Sequence, residues 1–190
     1  MGQYYLVCNL DKQQYLHPHR FDDGLKLLEF GNATCGTMMG LAVLLADGNG
    51  RGGGDLRSNH PLVGSWAGDR IVIAGDYADT GRWLQGPELD RYQEACPDEL
   101  RYWHENGYDG ITKPYPINLY HYAGQFYADI SDQVLLALAD DEFLRQELNR
   151  RLKERRAGGY LADTMPLPPE LEQRVFGEER PTRSVRRARR

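Results

Sequence analysis

The run RIVIAGD, Arg70 to Asp76, constrains the fold more than any other stretch of the chain. Successive side chains of a strand point to opposite faces. Three consecutive β-branched apolar residues, Ile71, Val72 and Ile73, therefore need cover on both sides. Arg70–Ala74 is expected as a central strand with helices packed against it. An aspartate stands just outside each end. If the intervening residues are extended, Asp69 and Asp76 are about 23 Å apart, too far to share a proton or a water. The two ends then have separate roles. Asp69 and Arg70 read as a local structural pair beside Trp66. Asp76, at the carboxyl end of a buried strand, is the better site candidate, because ligands favour that end of a covered sheet.

The segment before this strand, Gly48 to Asp55, reads GNGRGGGD. Successive backbone N–H groups in such a loop can form an anion-binding nest, with Arg51 adding charge and Asp55 closing the run. It is not a P-loop, which needs a Lys-Ser/Thr pair between a strand and a helix, and no strand precedes the glycines as the dinucleotide fingerprint requires. The GDYAD that follows the strand places Asp76 and Asp79 as in the GDxxD of calcineurin-like metallophosphoesterases. The other two motifs of that family are missing: there is no DxH, and Asn59-His60 comes before the strand rather than after it. His17-Pro18-His19 has the HxH spacing of a metal pair, but Pro18 disfavours a regular strand and no third ligand is evident. The expected ligand-binding set is thus Arg51, Asp55, Asp76, Asp79, His17 and His19, with no metal and no specified cofactor. A catalytic site would require Arg51, Asp76 and a histidine to converge within about 8 Å.

The rest of the chain supplies a sheet and its cover. Tyr4–Leu10 reads as a buried strand and Gln14–His17 as its hairpin partner. Asp22 or Asp23 can cap a short helix through Leu25, Leu28 and Glu29, and Thr37 can cap an apolar core helix, Met38 to Ala46. Pro87 and Pro97 each open a helix. The aromatic stretch Tyr115–Tyr127 suggests two strands, Asn118–Tyr122 and Gln125–Asp129, joined at Gly124. A helix capped by Ser131 or Asp132 follows. The next begins near Asp140, with acids at its front, Lys153, Arg155 and Arg156 at its back, and Leu144, Leu148 and Leu152 on one face. These elements predict a single α+β domain, residues 1–160, with a mixed sheet packed by helices. Residues 161–190 would form a Pro-rich arm, with one short helix over Pro169–Phe176, and a basic tail.

Composition narrows the partners. The formal charge is −5, and setting aside Arg183, Arg186, Arg187, Arg189 and Arg190 leaves about −10 on the rest. An acidic body disfavours broad nucleic-acid binding, so nucleic acid or an acidic protein is expected only at the arginine-rich end. Three cysteines without a CxxC suit reduced thiols. The start, MGQYYLVCNL, lacks a basic segment followed by a long apolar one, and no apolar run is long enough to span a bilayer. A cytoplasmic protein without a membrane partner is expected.

The segments MGQYYLVCNLDKQQYLHPHRF, GLKLLEFG and SWAGDRIVIAGDYAD together resemble a family of bacterial and fungal proteins that open with MGQY…NLDK and carry WAGDRI…GDY further on. The resemblance covers roughly the first 80 residues, with a looser match at YADIS near Asp129. It implies that the first strand and the Trp66–Tyr77 region belong to one unit, and it implies no particular activity. The function expected is binding of a small anionic or nucleotide-like molecule near the glycine-rich loop and Asp76. The alternative is a noncatalytic interaction protein acting through its acidic body and arginine-rich tail.

Overall fold

In a computed structural model of the chain, the described residues are 3–33, 35–47, 56–78, 82–95 and 117–177. Four strands form one sheet: β1 (Tyr5–Asn9), β2 (Gln14–Leu16), β3 (Ile71–Gly75) and β4 (Ala128–Asp129), in the order β3-β1-β2-β4. β1 is antiparallel to both of its neighbours, and β2 and β4 are parallel, so the sheet is mixed. The β1–β2 hairpin is set by its turn. The Asn9 side chain accepts hydrogen bonds from the N–H groups of Asp11 (3.0 Å) and Lys12 (2.9 Å), and Gln13 takes a left-handed conformation with φ 51°.

Helices cover both faces. A 3-10 turn (Pro18–Phe21) follows β2, then α1 (Leu27–Gly31), α2 (Thr37–Leu45), α3 (Gly86–Ala95), α4 (Leu119–Phe126), α5 (Ser131–Ala139), α6 (Glu142–Arg156) and α7 (Pro169–Phe176). The alternation of β1 divides the core. Val7 enters a cluster with Leu16, Phe21, Phe30, Leu44, Trp66, Val134, Leu148 and Leu171, built from α1, α2, α5, α6 and α7. Leu6 and Cys8 enter a second cluster with Ala74, Leu84, Tyr92, Leu119 and Tyr122, built around α3 and α4. Each large side chain removed from water in this way contributes about 1.5–3 kcal/mol. The α+β class and the mixed sheet packed by helices are as the sequence predicts. α7 lies in the Pro-rich stretch expected as an arm, and it docks on the first cluster through buried Leu171 and Val175.

Two expectations are corrected. β3 is not central: among the described strands it lies at the sheet edge, and the central, fully covered strand is β1. The apolar run carries no information about the strand's edges, and the expected cover of both faces is incomplete as well: Ala74 and Gly75 are buried, Ile71 and Val72 are half-buried, and Ile73 is exposed. The second correction concerns Asn118–Tyr122 and Gln125–Asp129. Only Ala128–Asp129 is strand; Leu119–Phe126 is α4, with Asn118 and Tyr127 as its capping residues. Leu119, Tyr122, Ala123 and Phe126 fall at helical spacing and pack on the second cluster, while Asn118 caps the helix by accepting the Tyr120 N–H at 3.1 Å. Helical periodicity and a cap outweigh the strand preference of the aromatic side chains here.

The chain leaving α2 is fastened back to it. The Gly64 N–H donates to Val43 O (2.9 Å) and the Trp66 N–H to Leu44 O (2.8 Å), satisfying carbonyls at the end of the helix. Gly64 is required there: it has φ +73°, and a Cβ would stand 2.6 Å from Ala46 O.

Candidate functional site

The two ends of β3 are held differently. At its start, Asp69 and Arg70 do not pair with each other, as the sequence suggests, but with the β1–β2 turn. Asp69 accepts hydrogen bonds from Lys12 and from Asn9 Nδ2, and these hold its carboxyl below the usual carboxylate range. Arg70 donates from its main-chain N–H, Nε and Nη2 to Asp11, which lowers the Asp11 carboxyl in turn. Trp66 donates Nε1–H to Gln14 Oε1 at 2.8 Å, so the whole start of β3 is buttressed by the hairpin. At the far end, Asp76 Oδ1 accepts the Tyr4 N–H (2.9 Å), its own N–H donates to Tyr4 O (3.0 Å), and its carbonyl accepts Asn118 Nδ2 at 2.8 Å. Asn118 also holds Ala78 O at 2.9 Å, so one buried amide joins the exit of β3 to the cap of α4.

His17 and His19 flank Pro18, which opens a 3-10 turn instead of continuing a strand. The two rings are 5.4 Å apart and tilted 49°. The His17 main-chain N–H donates to Ser131 Oγ (2.8 Å), and its buried Nδ1 has no hydrogen-bond partner. Burial, with His19 and Arg20 beside it, pushes the His17 imidazole down to about 4, so it is neutral at neutral pH. Burial and Arg155 likewise lower His19. Among the described residues no three His, Cys, Asp or Glu side chains are placed to hold a metal ion.

A buried ionic network surrounds this turn, and sequence reasoning missed it. Arg155 donates to the carbonyls of His19 and Arg20 and lies 3.7 Å from Asp22. Arg151 pairs with Asp23, whose other carboxylate oxygen accepts both the N–H (2.7 Å) and the hydroxyl (2.8 Å) of Thr37. Asp23 thereby supplies from a distance the cap expected of Thr37 itself. Arg20 clasps Asp132. The signal was present: Arg151 and Arg155 share the stripe of Leu148 and Leu152, and an arginine on an apolar stripe is buried with partners.

Burial raises the Cys8 thiol to about 12 and the Cys35 thiol to about 11, so neither is a thiolate at neutral pH. Cys96 lies outside the described residues.

A concavity lies between α2 and the start of α6. It has a volume of about 690 Å³. Met39, Ala42, Val43, Ala46, Leu56 and Leu144 make its apolar lining, and Asp141, Glu142, Gln146 and Arg57 its polar rim. Phe143, 68% exposed, stands on that rim. Asp141 accepts the Arg57 and Leu144 N–H groups, which hold its carboxyl low and charged. Ala46 and Leu56, at the two ends of the glycine-rich stretch, both reach this groove. A second, polar concavity of about 560 Å³ includes His60, Arg145 and the Asp140–Arg174 ion pair.

Of the expected ligand-binding set, the structure describes His17, His19 and Asp76. Strand geometry puts His17 and Asp76 at one margin of the sheet with β1 between them, about 12 Å apart at Cα. Arg51, Asp55, Asp79, Arg183, Arg186, Arg187, Arg189 and Arg190 lie outside the described residues, as does the helix expected after Pro97. Comparison with known proteins finds no matching family model, no matching curated protein and no matching solved structure.

Proposed function

We propose that this chain is a binding protein whose site is the groove between α2 and the start of α6, taking a small ligand with an apolar body and a neutral or cationic head. The observation that carries this reading is the groove itself: about 690 Å³ with an apolar floor and an exposed Phe143 on its lip. Pockets of this size with a few polar groups at one side are the usual form of a small-molecule site. The head preference comes from Asp141 and Glu142. Among the described lining residues, an anion at the rim would meet two carboxylates against the guanidinium of Arg57. This ligand differs in charge from the anionic or nucleotide-like one expected near the glycine-rich loop and Asp76, a separate place on the molecule whose Arg51, Asp55 and Asp79 lie outside the described residues.

A fluorescent alkylammonium probe and its sulfonate counterpart test the reading. The ammonium probe is expected to bind several-fold tighter. Ala42→Trp, which places an indole in the groove from an exposed helical position, should weaken binding by at least about tenfold while leaving the far-UV circular dichroism unchanged. Equal affinity for the two probes, or undiminished binding in the tryptophan variant, would reject it.

A further inference from the structure

The outer edge of β3 carries an inference that does not depend on the groove. Asp76 N–H donates to Tyr4 O and Leu10 N–H to Arg70 O, so the main-chain groups of the even-numbered residues Arg70 to Asp76 face β1. Those of Ile71, Ile73 and Gly75 face away from it. Among the described residues, no hydrogen bond reaches the main-chain groups of Ile71 or Ile73 on that side. Ile73 is 38% exposed, and Tyr77 just beyond the strand is exposed as well. Natural edge strands are commonly protected by a charge, a proline or a bulge. Ile71–Gly75 has none of these within its length.

The sequence of this edge is complementary to itself. In antiparallel pairing about a two-fold axis at Ile73, Ile73 faces its own copy, Val72 faces Ala74, Ile71 faces Gly75 and Arg70 faces Asp76. Ile73 and its copy would exchange N–H···O bonds through the groups that point outward. Arg70 and Asp76 would then form the non-hydrogen-bonded pairs, in which opposing side chains come closest. Both sit on the same face as Val72 and Ala74, so the two opposite charges meet, once at each end of the contact. The Arg70 side chain is 71% exposed; its bonds to Asp11 use Nε and Nη2, and Nη1 takes part in neither.

We infer that the chain pairs with a second copy of itself along β3, continuing the four-stranded sheet across a two-fold axis with Arg70 of each copy against Asp76 of the other. The contact is short, so the association is weak and concentration-dependent.

Sedimentation equilibrium of the full chain over about a hundredfold range of concentration tests this. The expected result is a reversible rise toward twice the 21.7 kDa chain mass. Arg70→Asp alone sets acid against acid, and Asp76→Arg alone sets base against base, so each should sediment as a monomer. An equimolar mixture of the two restores both charge pairs and should recover the dimer. Ile73→Lys, at an exposed position, gives an independent check and should weaken association by about tenfold or more. A wild-type chain that stays monomeric overturns the inference. So does a dimer that Ile73→Lys leaves intact, or a mixture of the two folded charge variants that stays monomeric.

Discussion

The two faces of the sheet solve the same packing problem by different means. The first, under α2, α5, α6 and α7, packs aliphatic side chains around the buried rings of Phe21, Phe30 and Trp66 and is fixed by buried charges: Asp23 with Arg151, and Arg155 on the carbonyls of His19 and Arg20. The second, under α3 and α4, is held by aromatic rings set against one another over a smaller aliphatic floor. Tyr92 meets Phe126 edge-on at 6.2 Å, Tyr122 meets Tyr127 at 6.0 Å, and Arg91 lies over Phe126 at 4.2 Å. Its principal buried polar tie is Asn118. Guanidiniums bonded to carbonyls and carboxylates fix positions in direction as well as distance. Edge-on rings tolerate small displacements at little cost. The first face should therefore fail sharply when a polar partner is removed, and the second should give way by degrees.

The largest expected effect breaks the first face. Arg151→Ala leaves Asp23, whose side chain is wholly inaccessible to solvent, without its cation. Removing one partner of a buried pair costs about 3–5 kcal/mol, read as a fall in the urea midpoint. A loss under about 1 kcal/mol would show that the ionic network does not hold this face.

Acid should weaken the same face by a smaller amount. The folded state holds the His17 imidazole down near 4, against an ordinary 6.5. Between those values the unfolded chain binds more protons, so stability is full above 6.5 and is lost as pH falls toward 4, by at most about 3 kcal/mol. Burial raises Asp22 and Asp129, whose contributions oppose this slope in the carboxylate range, so the upper half of the window is the cleaner one. His17→Gln should flatten the urea midpoint between pH 5 and 6.5. An unchanged slope would assign it to other groups.

On the second face, Asn118→Ala removes the cap of α4 and the donor to the Asp76 and Ala78 carbonyls. The expected loss is about 2 kcal/mol. A loss equal to that of Arg151→Ala would erase the contrast between the faces.

The first face was the more legible in the sequence. Thr37 at the head of an apolar run, Asp141 before Leu144, Leu148 and Leu152, and the Pro169–Phe176 segment all carry local signals, and each lies in or beside the helix it announces. The partners of Asp23 and Asp69 were not legible. Thr37, Arg151 and Lys12 reach them across 14, 128 and 57 residues of sequence, and only the folded chain brings them together. The aromatic stretch over α4 was read by residue type when its period was the better guide. The groove between α2 and α6 left no motif, because its lining is ordinary helical core exposed at one end. As for the sequence-predicted site, strand order explains why Asp76 and His17 share a margin of the sheet, and the intervening β1 explains why they do not meet.

The return of the chain to the end of α2 has a consequence for length. Val43 and Leu44 receive Gly64 and Trp66, so the chain that leaves α2 is returned to the last turn of the same helix. With both feet held by the framework, a longer connection between them has a small cost: doubling the length of a loop adds about 0.6 kcal/mol of closure entropy. The position is a natural splice point, where a chain of this fold can gain or lose whole peptides while its sheet and both of its cores keep their register.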